Sequence, residues 1–290
     1  MGPAVRRWSR WAVAAGCPVV AAVLLVAVAP GVATAEPAPG SVRVLQMNLC
    51  DGGGARCYTG RSVAEAAAVI RAERPDAVTL NEVCRGDVAV LGRALAAARP
   101  GPAPRTAFRP VGDRRTGGSV RCRNGQPYGI GVLTRLGGGP GGYATTGGAY
   151  PVQDGWSREL RAWLCLHPRG GADAPRGVAV CTTHLANDNP VVAGGQCAHL
   201  LGTVLPAIRT GSGGAPLVLA GDLNLAADGV LGVRSCLAEG DRGVDDGVVQ
   251  HVVASPELSP GAPRTVRLRQ TDHPGLLVTL TVSGSRRAAR

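Results

Sequence analysis

The sequence predicts an α/β domain with mixed sheets. Apolar runs of strand length recur along the chain, some are separated by segments with helical apolar spacing, and neither an internal repeat nor a long linker divides them. A chain of 290 residues with 45% hydrophobic and 18% charged residues can bury a sizeable core and is not a disordered polymer. The 43 Gly and 22 Pro follow no G-X-Y period, which excludes collagen and points to many loops.

The first 35 residues read as a leader rather than part of the fold. Arg6, Arg7 and Arg10 precede an apolar run from Trp11 to about Pro30, and Ala33-Thr34-Ala35 is an A-x-A cleavage pattern. Cys17-Pro18 interrupts the run and disfavours a membrane anchor. The expectation is an exported protein with a signal peptide over 1–35 and one domain over 36–290, without stable membrane insertion after cleavage. All 31 basic residues are Arg, and the remaining chain keeps a clear excess over acidic residues, which favours anionic partners.

The elements follow in order. Ser41–Met47 alternates as a strand ending at Asn48. Ser62-Val63-Ala64-Glu65 reads as a capping box opening an Ala-rich helix to about Arg74. Pro75 stops it, and Asp76–Asn81 is a buried strand. Asp87–Ala98 has helical apolar spacing. Residues 99–127, rich in Pro, Gly and Arg, read as a loop. Tyr128–Arg135 and Tyr143–Pro151 read as strands around a glycine turn. Leu160–Leu166 and Val178–His184 read as a hairpin about Pro168–Arg176, followed by a helix from about Val192 to Ile208. Leu217–Ala220, Val248–Ala254 and Leu276–Val282 complete the strands.

Eight cysteines remain after the leader, an even number that in an exported chain reads as disulfides. In the hairpin, Cys165 and Cys181 sit symmetrically about its centre and fall opposite each other. Cys50 with Cys57 would staple a short Gly-rich loop, leaving Cys84 with Cys122 and Cys197 with Cys236 by elimination. No Cys–His cluster has zinc-ligand spacing.

Chemistry-capable side chains follow the apolar strands at five places: Asn48, Glu82, His184, Asp222 with Asn224, and Asp272 with His273. Singly each has a bland reading: Asn48 a turn former, Glu82 a helix cap, His184 a strand-end histidine, Asp272 a turn cap. Their joint occurrence is informative, because loops leaving a sheet carry sites on a rigid scaffold. Glu82, Asp222 and Asp272 with Asn48 and Asn224 form a hard oxygen set that suits Mg2+, Mn2+ or Ca2+ rather than zinc. Two histidines added to such a set supply a base for water and a donor for phosphate. There is no P-loop and no G-x-S-x-G, which argues against nucleotide-driven transfer and serine hydrolysis.

The segments VLQMNLC, DAVTLNEVC, YGIGVLTR, VCTTHLAND, VLAGDLNL and TDHPGLLVTL, in this order over Ser41 to Val282, resemble the endonuclease/exonuclease/phosphatase superfamily. GDLN and the terminal DH are the most specific. The resemblance implies a four-layer, DNase I-like α/β sandwich of two packed mixed sheets flanked by helices. It implies metal ligation by Glu82 with Asn48 and Asp272. It further implies that Asp222 and Asn224 orient water, phosphate or a second ion, that His273 acts as the base-pair histidine, and that His184 holds a phosphate oxygen or assists the leaving group.

One departure stands out. In VVQHVVAS, where the family usually has an Asp that orients the catalytic histidine, this chain has Gln250 followed by His251. Either Asp245 or Asp246 supplies the charge, or His251 has a modified role, or the enzyme is slow; His251 could also simply face solvent. The leading reading is a secreted, monomeric, metal-dependent phosphodiesterase acting on a polyanion, nucleic acid first. Arg105, Arg109, Arg114, Arg115, Arg121 and Arg123 would line its groove. A sphingomyelinase-like or inositol-phosphate esterase, and an inactive exported binding protein, are the alternatives.

Overall fold

The computed structural model describes residues 40–138, 141–169 and 177–282. The expected leader over 1–35 lies outside them, as does most of the turn segment Pro168–Arg176.

Two large sheets stack face to face. The first runs β13 (Leu258–Pro260), β15 (Gly275–Val282), β1 (Ser41–Asn48), β2 (Ala77–Cys84), β5 (Tyr128–Thr134), β3 (Arg105–Pro110), with β14 (Arg264–Val266) also paired to β15. The second runs β11 (Arg242–Asp245), β12 (Gln250–Ala254), β10 (Leu217–Asp222), β9 (Ala179–Thr183), β8 (Ala162–Pro168), β6 (Tyr143–Ala149). A short ribbon pairs β4 (Gly112–Asp113) with β7 (Glu159–Leu160). Both sheets are mixed: β1–β2 and β9–β10 are parallel, and the remaining pairs are antiparallel.

Strand alternation builds four layers. Val44, Val180, Val218, Ala220, Val252 and Val278 point between the sheets and form one apolar core. Leu45, Met47, Val78 and Leu80 point the other way, onto α1 (Ser62–Glu73) and α2 (Arg85–Ala98). Leu217, Leu219 and Val253 pack under α3 (Pro190–His199), a π turn at Leu200–Val204, and α4 (Leu205–Gly211). This helical run is apolar enough to cross a membrane by composition, yet Ala193, Cys197, Leu200, Leu201 and Leu205 are buried against the second sheet.

Several expectations need correction. Ser62 and Glu65 do not form a capping box: the Ser62 hydroxyl donates to Asp51 at 3.1 Å, and Glu65 accepts the backbone N–H of Arg269 and Gln270, each at 2.9 Å. A long-range partner outcompetes the local one in each case. Residues 99–127 are not all loop, since β3 and β4 lie within them; β3 is an edge strand with mostly accessible side chains, so it lacks the alternation that would announce it. Residues 128–135 and 143–151 do not form a hairpin. β5 belongs to the first sheet and β6 to the second, so the glycine segment between them is a crossover.

Among the described residues the structure joins Cys50 to Cys57, Cys84 to Cys122, Cys165 to Cys181 and Cys197 to Cys236. Cys165 and Cys181 are directly opposite partners on β8 and β9.

Candidate active site

The two parallel strand pairs meet across the sandwich, and the candidate residues lie at their carboxyl ends. Open α/β sheets bind ligands at this kind of position. Asn48 ends β1, Asp222 ends β10, and His184 follows β9 beside Asp222. Glu82 is on β2 at an irregularity: the register to β5 shifts between Leu80 and Val83, and Glu82 itself has φ +56°. The bulge re-aims this one carboxylate toward the site, where regular alternation would send it to the helix layer.

Asn48 ties the two carboxylates together. Its Nδ2 donates to Glu82 Oε1 at 2.9 Å and to Asp222 Oδ2 at 3.1 Å, while its Oδ1 accepts the Cys50 N–H at 3.1 Å. Asn48 therefore presents its amide nitrogen, not its oxygen, to the acidic groups. Asp222, 1% exposed, also accepts the Asn224 N–H at 3.1 Å and Gln250 Nε2 at 2.9 Å. Asn224, at φ +49°, donates its side-chain amide to the Leu185 carbonyl at 3.0 Å.

Two imidazoles converge on the same carboxylate. His273 Nε2 is 3.7 Å and His184 Nε2 4.0 Å from Asp222 Oδ2, and His273 Nε2 is 3.8 Å from the exposed Asp272 carboxylate. Burial pushes Glu82 and Asp222 above the usual carboxylate range, with the Asn48 amide opposing the shift in each. Burial first, then the Arg161 and His273 charges, holds His184 well below the ordinary histidine value, so its ring is neutral. These groups share a cavity of about 320 Å³ with Asp272, Asn224, Arg161 and Asn187.

Glu82, Asp222 and Asp272 do not form a closed three-carboxylate cage. Among the described residues, the groups of three acidic, His or Cys side chains whose ligand atoms lie within 4.8 Å of one another are Cys50, Cys57, Asp272 and Asp51, Cys84, Asp87, and both contain disulfide sulfur. The donors facing the cavity are still hard oxygens. Glu82 and Asp272 both line the cavity, and their oxygens are of the type that a hard cation keeping several of its waters takes.

The Gln250 departure resolves structurally. Gln250 is fully buried; its Oε1 accepts from Gln46 Nε2 at 3.0 Å while its Nε2 serves Asp222. Gln46 also donates to Asn81 Oδ1 at 2.6 Å, and Asn81 reaches across the sheets to the Thr183 carbonyl at 2.9 Å and the Asp222 N–H at 2.8 Å. The position needs an acceptor on one side and a donor on the other, which an amide provides and a carboxylate does not. The carboxylate beside His273 is that of Asp222, at 3.7 Å.

Asp245 and Asp246 do not take that part. They accept the N–H groups of Gly247 and of Val248 and Gln250, respectively, in the turn before β12. Nor does His251 face solvent: it is buried, with Nε2 2.7 Å from the Leu225 carbonyl, bracing the loop behind Asn224.

Sequence reasoning missed Arg161, Glu159 and Asn187. Arg161 is 5% exposed, donates to Asn187 Oδ1 at 2.9 Å and sits 3.3 Å from Glu159. A buried Arg in a short, irregular strand approach has no periodicity to mark it. The arginines of the segment lie on different elements. Arg114 is tied to the Ser157 and Asp154 carbonyls, Arg105 and Arg109 lie on the edge strand β3, and Arg121 lines a cavity adjoining the site.

No protein-family model and no curated protein matches the sequence. Solved structures do. An endonuclease/exonuclease/phosphatase from Beutenbergia cavernae is 24% identical, with 86% of this chain and 74% of that one covered and a TM-score of 0.61. The human Nocturnin catalytic domain, with bound sulfate, is 14% identical over 84% of this chain and 94% of that one, TM-score 0.60. ANGEL2, a 2',3'-cyclic phosphatase, is 14% identical over 84% and 96%, TM-score 0.53. Stacked mixed sheets between helix layers, with the polar cluster at the ends of the parallel strands, give this chain the endonuclease/exonuclease/phosphatase fold.

Proposed function

We propose that the chain is an exported, divalent-metal-dependent phosphoric ester hydrolase acting on phosphodiesters, with nucleic acid as the leading substrate. One observation carries the reading: two desolvated carboxylates bridged by a single amide, with two imidazoles directed at one of them, in one cavity. That is an arrangement for moving a proton from water and holding an anion. The comparisons support phosphoester hydrolysis as the class: one neighbour is named a cyclic phosphatase and another binds sulfate. The leader pattern and four disulfides support export.

Each residue then has a part. Glu82 and Asp272 would hold the cation, which supplies Lewis-acid stabilisation of the phosphate; Asn48 fixes Glu82 in place. His273, beside Asp222, takes a proton from the attacking water, and the Asp222 carboxylate stabilises the imidazolium. The neutral His184 ring and Asn224 donate to phosphate oxygens or the leaving group.

Oxidised protein incubated with plasmid DNA and Mg2+ should nick it. EDTA should stop the reaction, and Glu82→Ala should lower the rate by on the order of 10³-fold or more. Nicking that survives both would overturn the reading. Absence of nicking with turnover of sphingomyelin or inositol phosphates would keep the chemistry and move the substrate.

A further inference from the structure

A second cavity of about 300 Å³ adjoins the candidate site and shares Ala55, Glu82, Tyr128 and Glu159 with it. Its far wall is the Gly52-Gly53-Gly54 loop facing Val120 and Arg121. We propose that this cavity is a nucleotide subsite: it receives the sugar and base next to the scissile phosphate, with Arg121 against the following phosphate. The inference rests on the phosphodiesterase reading above and sharpens it, because it requires a substrate longer than a phosphate monoester.

The cavity is built rather than incidental. Cys50–Cys57 closes the glycine loop, and Cys84–Cys122 anchors the segment carrying Val120 and Arg121 two residues beyond Glu82. The loop lies so close to its supports that side chains are barred. A Cβ on Gly52 would stand 2.9 Å from the Tyr128 ring, and one on Gly53, at φ +84°, 2.4 Å from Arg123 Cβ. Gly54, by contrast, borders open space. The volume stands at the lower end of small-ligand pockets, room for one compact group rather than a chain segment.

The charges are arranged in order. Glu82 and Glu159 stand on the side of the first cavity, and cations on the other. Arg158 is committed to Asp113, donating through Nε at 3.0 Å and Nη2 at 2.6 Å, whereas exposed Arg121 makes one bond of 3.3 Å to the Gly125 carbonyl. Of the two arginines that line this cavity, Arg121 is thus the one not committed to a carboxylate.

The test compares two substrates, bis(p-nitrophenyl) phosphate and a 3'-phosphorylated thymidine dinucleotide, on the oxidised protein with Mg2+. Arg121→Gln and Gly54→Trp, which puts a large side chain on the cavity lining, should each lower the ratio of kcat/KM for the dinucleotide to that for the small diester by about tenfold. Arg264→Gln, a remote loss of the same charge, is the control. A ratio unmoved by both variants overturns the subsite. If the wild type hydrolyses neither substrate, the nucleic-acid phosphodiesterase reading fails, and calorimetry of thymidine 3',5'-bisphosphate decides the cavity separately. Binding by the wild type that is lost in Gly54→Trp upholds it, and equal or absent binding overturns it.

Discussion

Glu82 and Asp222 stand at the carboxyl ends of strands in opposite sheets, and they are held in contrasting ways. Asp222 continues a regular strand and is fixed by Asn48, Gln250 and the Asn224 N–H, with its own N–H taken by Asn81. Glu82 sits on a bulge with a left-handed backbone, a conformation that costs a non-glycine residue about 1 kcal/mol or more, and Asn48 is its hydrogen-bonded tether. One half of the site is therefore part of the fold's interior. The other is a strained platform that the fold tolerates. Both carboxylates are desolvated, but Asp222 is held by several hydrogen bonds, whereas Glu82 has the Asn48 amide and the nearby Arg161 charge beside an open cavity.

The largest expected break of this contrast comes from paired truncations. Asp222→Ala and Glu82→Ala should both abolish hydrolysis, but their stabilities should diverge. Losing Asp222 takes the acceptor from buried Gln250 Nε2 and from the Asn224 N–H and one of two acceptors from Asn48, and should destabilise by about 3 kcal/mol; losing Glu82 leaves Asn48 its Asp222 acceptor and should change stability by less than about 1 kcal/mol. Urea unfolding of the two variants measures the difference, and equal losses would contradict the asymmetry.

A smaller effect is expected at the bridge. Gln250→Asp restores the residue type expected from the resemblance, yet here it places a carboxylate against Asp222 and leaves that oxygen with Asn48 as its one side-chain amide donor. It should destabilise by about 2 kcal/mol, more at pH 8 than at pH 5, and slow turnover rather than speed it. Faster turnover would show that the missing acid, and not the amide, is what the site wants.

The smallest effect concerns the platform beneath Glu82. Asp87 caps the start of α2 by accepting the Cys84 N–H at 2.6 Å, and burial, then nearby Asp51, pushes it up to about 7. A carboxyl raised in the folded state binds its proton more tightly there than in the unfolded chain. Its contribution to stability is therefore lost as pH rises from about 4 through 7. Asp87→Asn should flatten that decline and raise the melting temperature at pH 8 by on the order of 2 °C, with little change at pH 5. A variant with an unchanged pH profile would remove Asp87 from the account.

Much of this architecture is legible in the sequence where the physics is local. The alternation Val42, Val44, Gln46, Asn48 marks a strand face that turns from apolar to polar at one end, and the symmetric placing of Cys165 and Cys181 marks a strand pair. What is not legible is long-range. Nothing near Ser62 reveals that Asp51 will claim its hydroxyl, nor near Glu65 that the backbone at 269–270 will claim its carboxylate. Gln250 looks like a defect beside a one-dimensional motif, because its partners, Gln46 and Asp222, lie far along the chain. Arg161 was invisible because burial of a charge is a property of the packed sandwich and leaves no pattern in the residues around it.

The buried amide chain has a consequence for motion. Gln46, Asn81, Gln250 and Asp222 knit the two sheets together at the floor of the site, so water cannot reach the Asp222 N–H by a loop opening; the sheets must part first. That amide should exchange its hydrogen only through global unfolding, while the N–H groups of the exposed rim exchange by local opening. The catalytic floor would then be as long-lived as the protein itself, with adaptation to substrate confined to the walls above it.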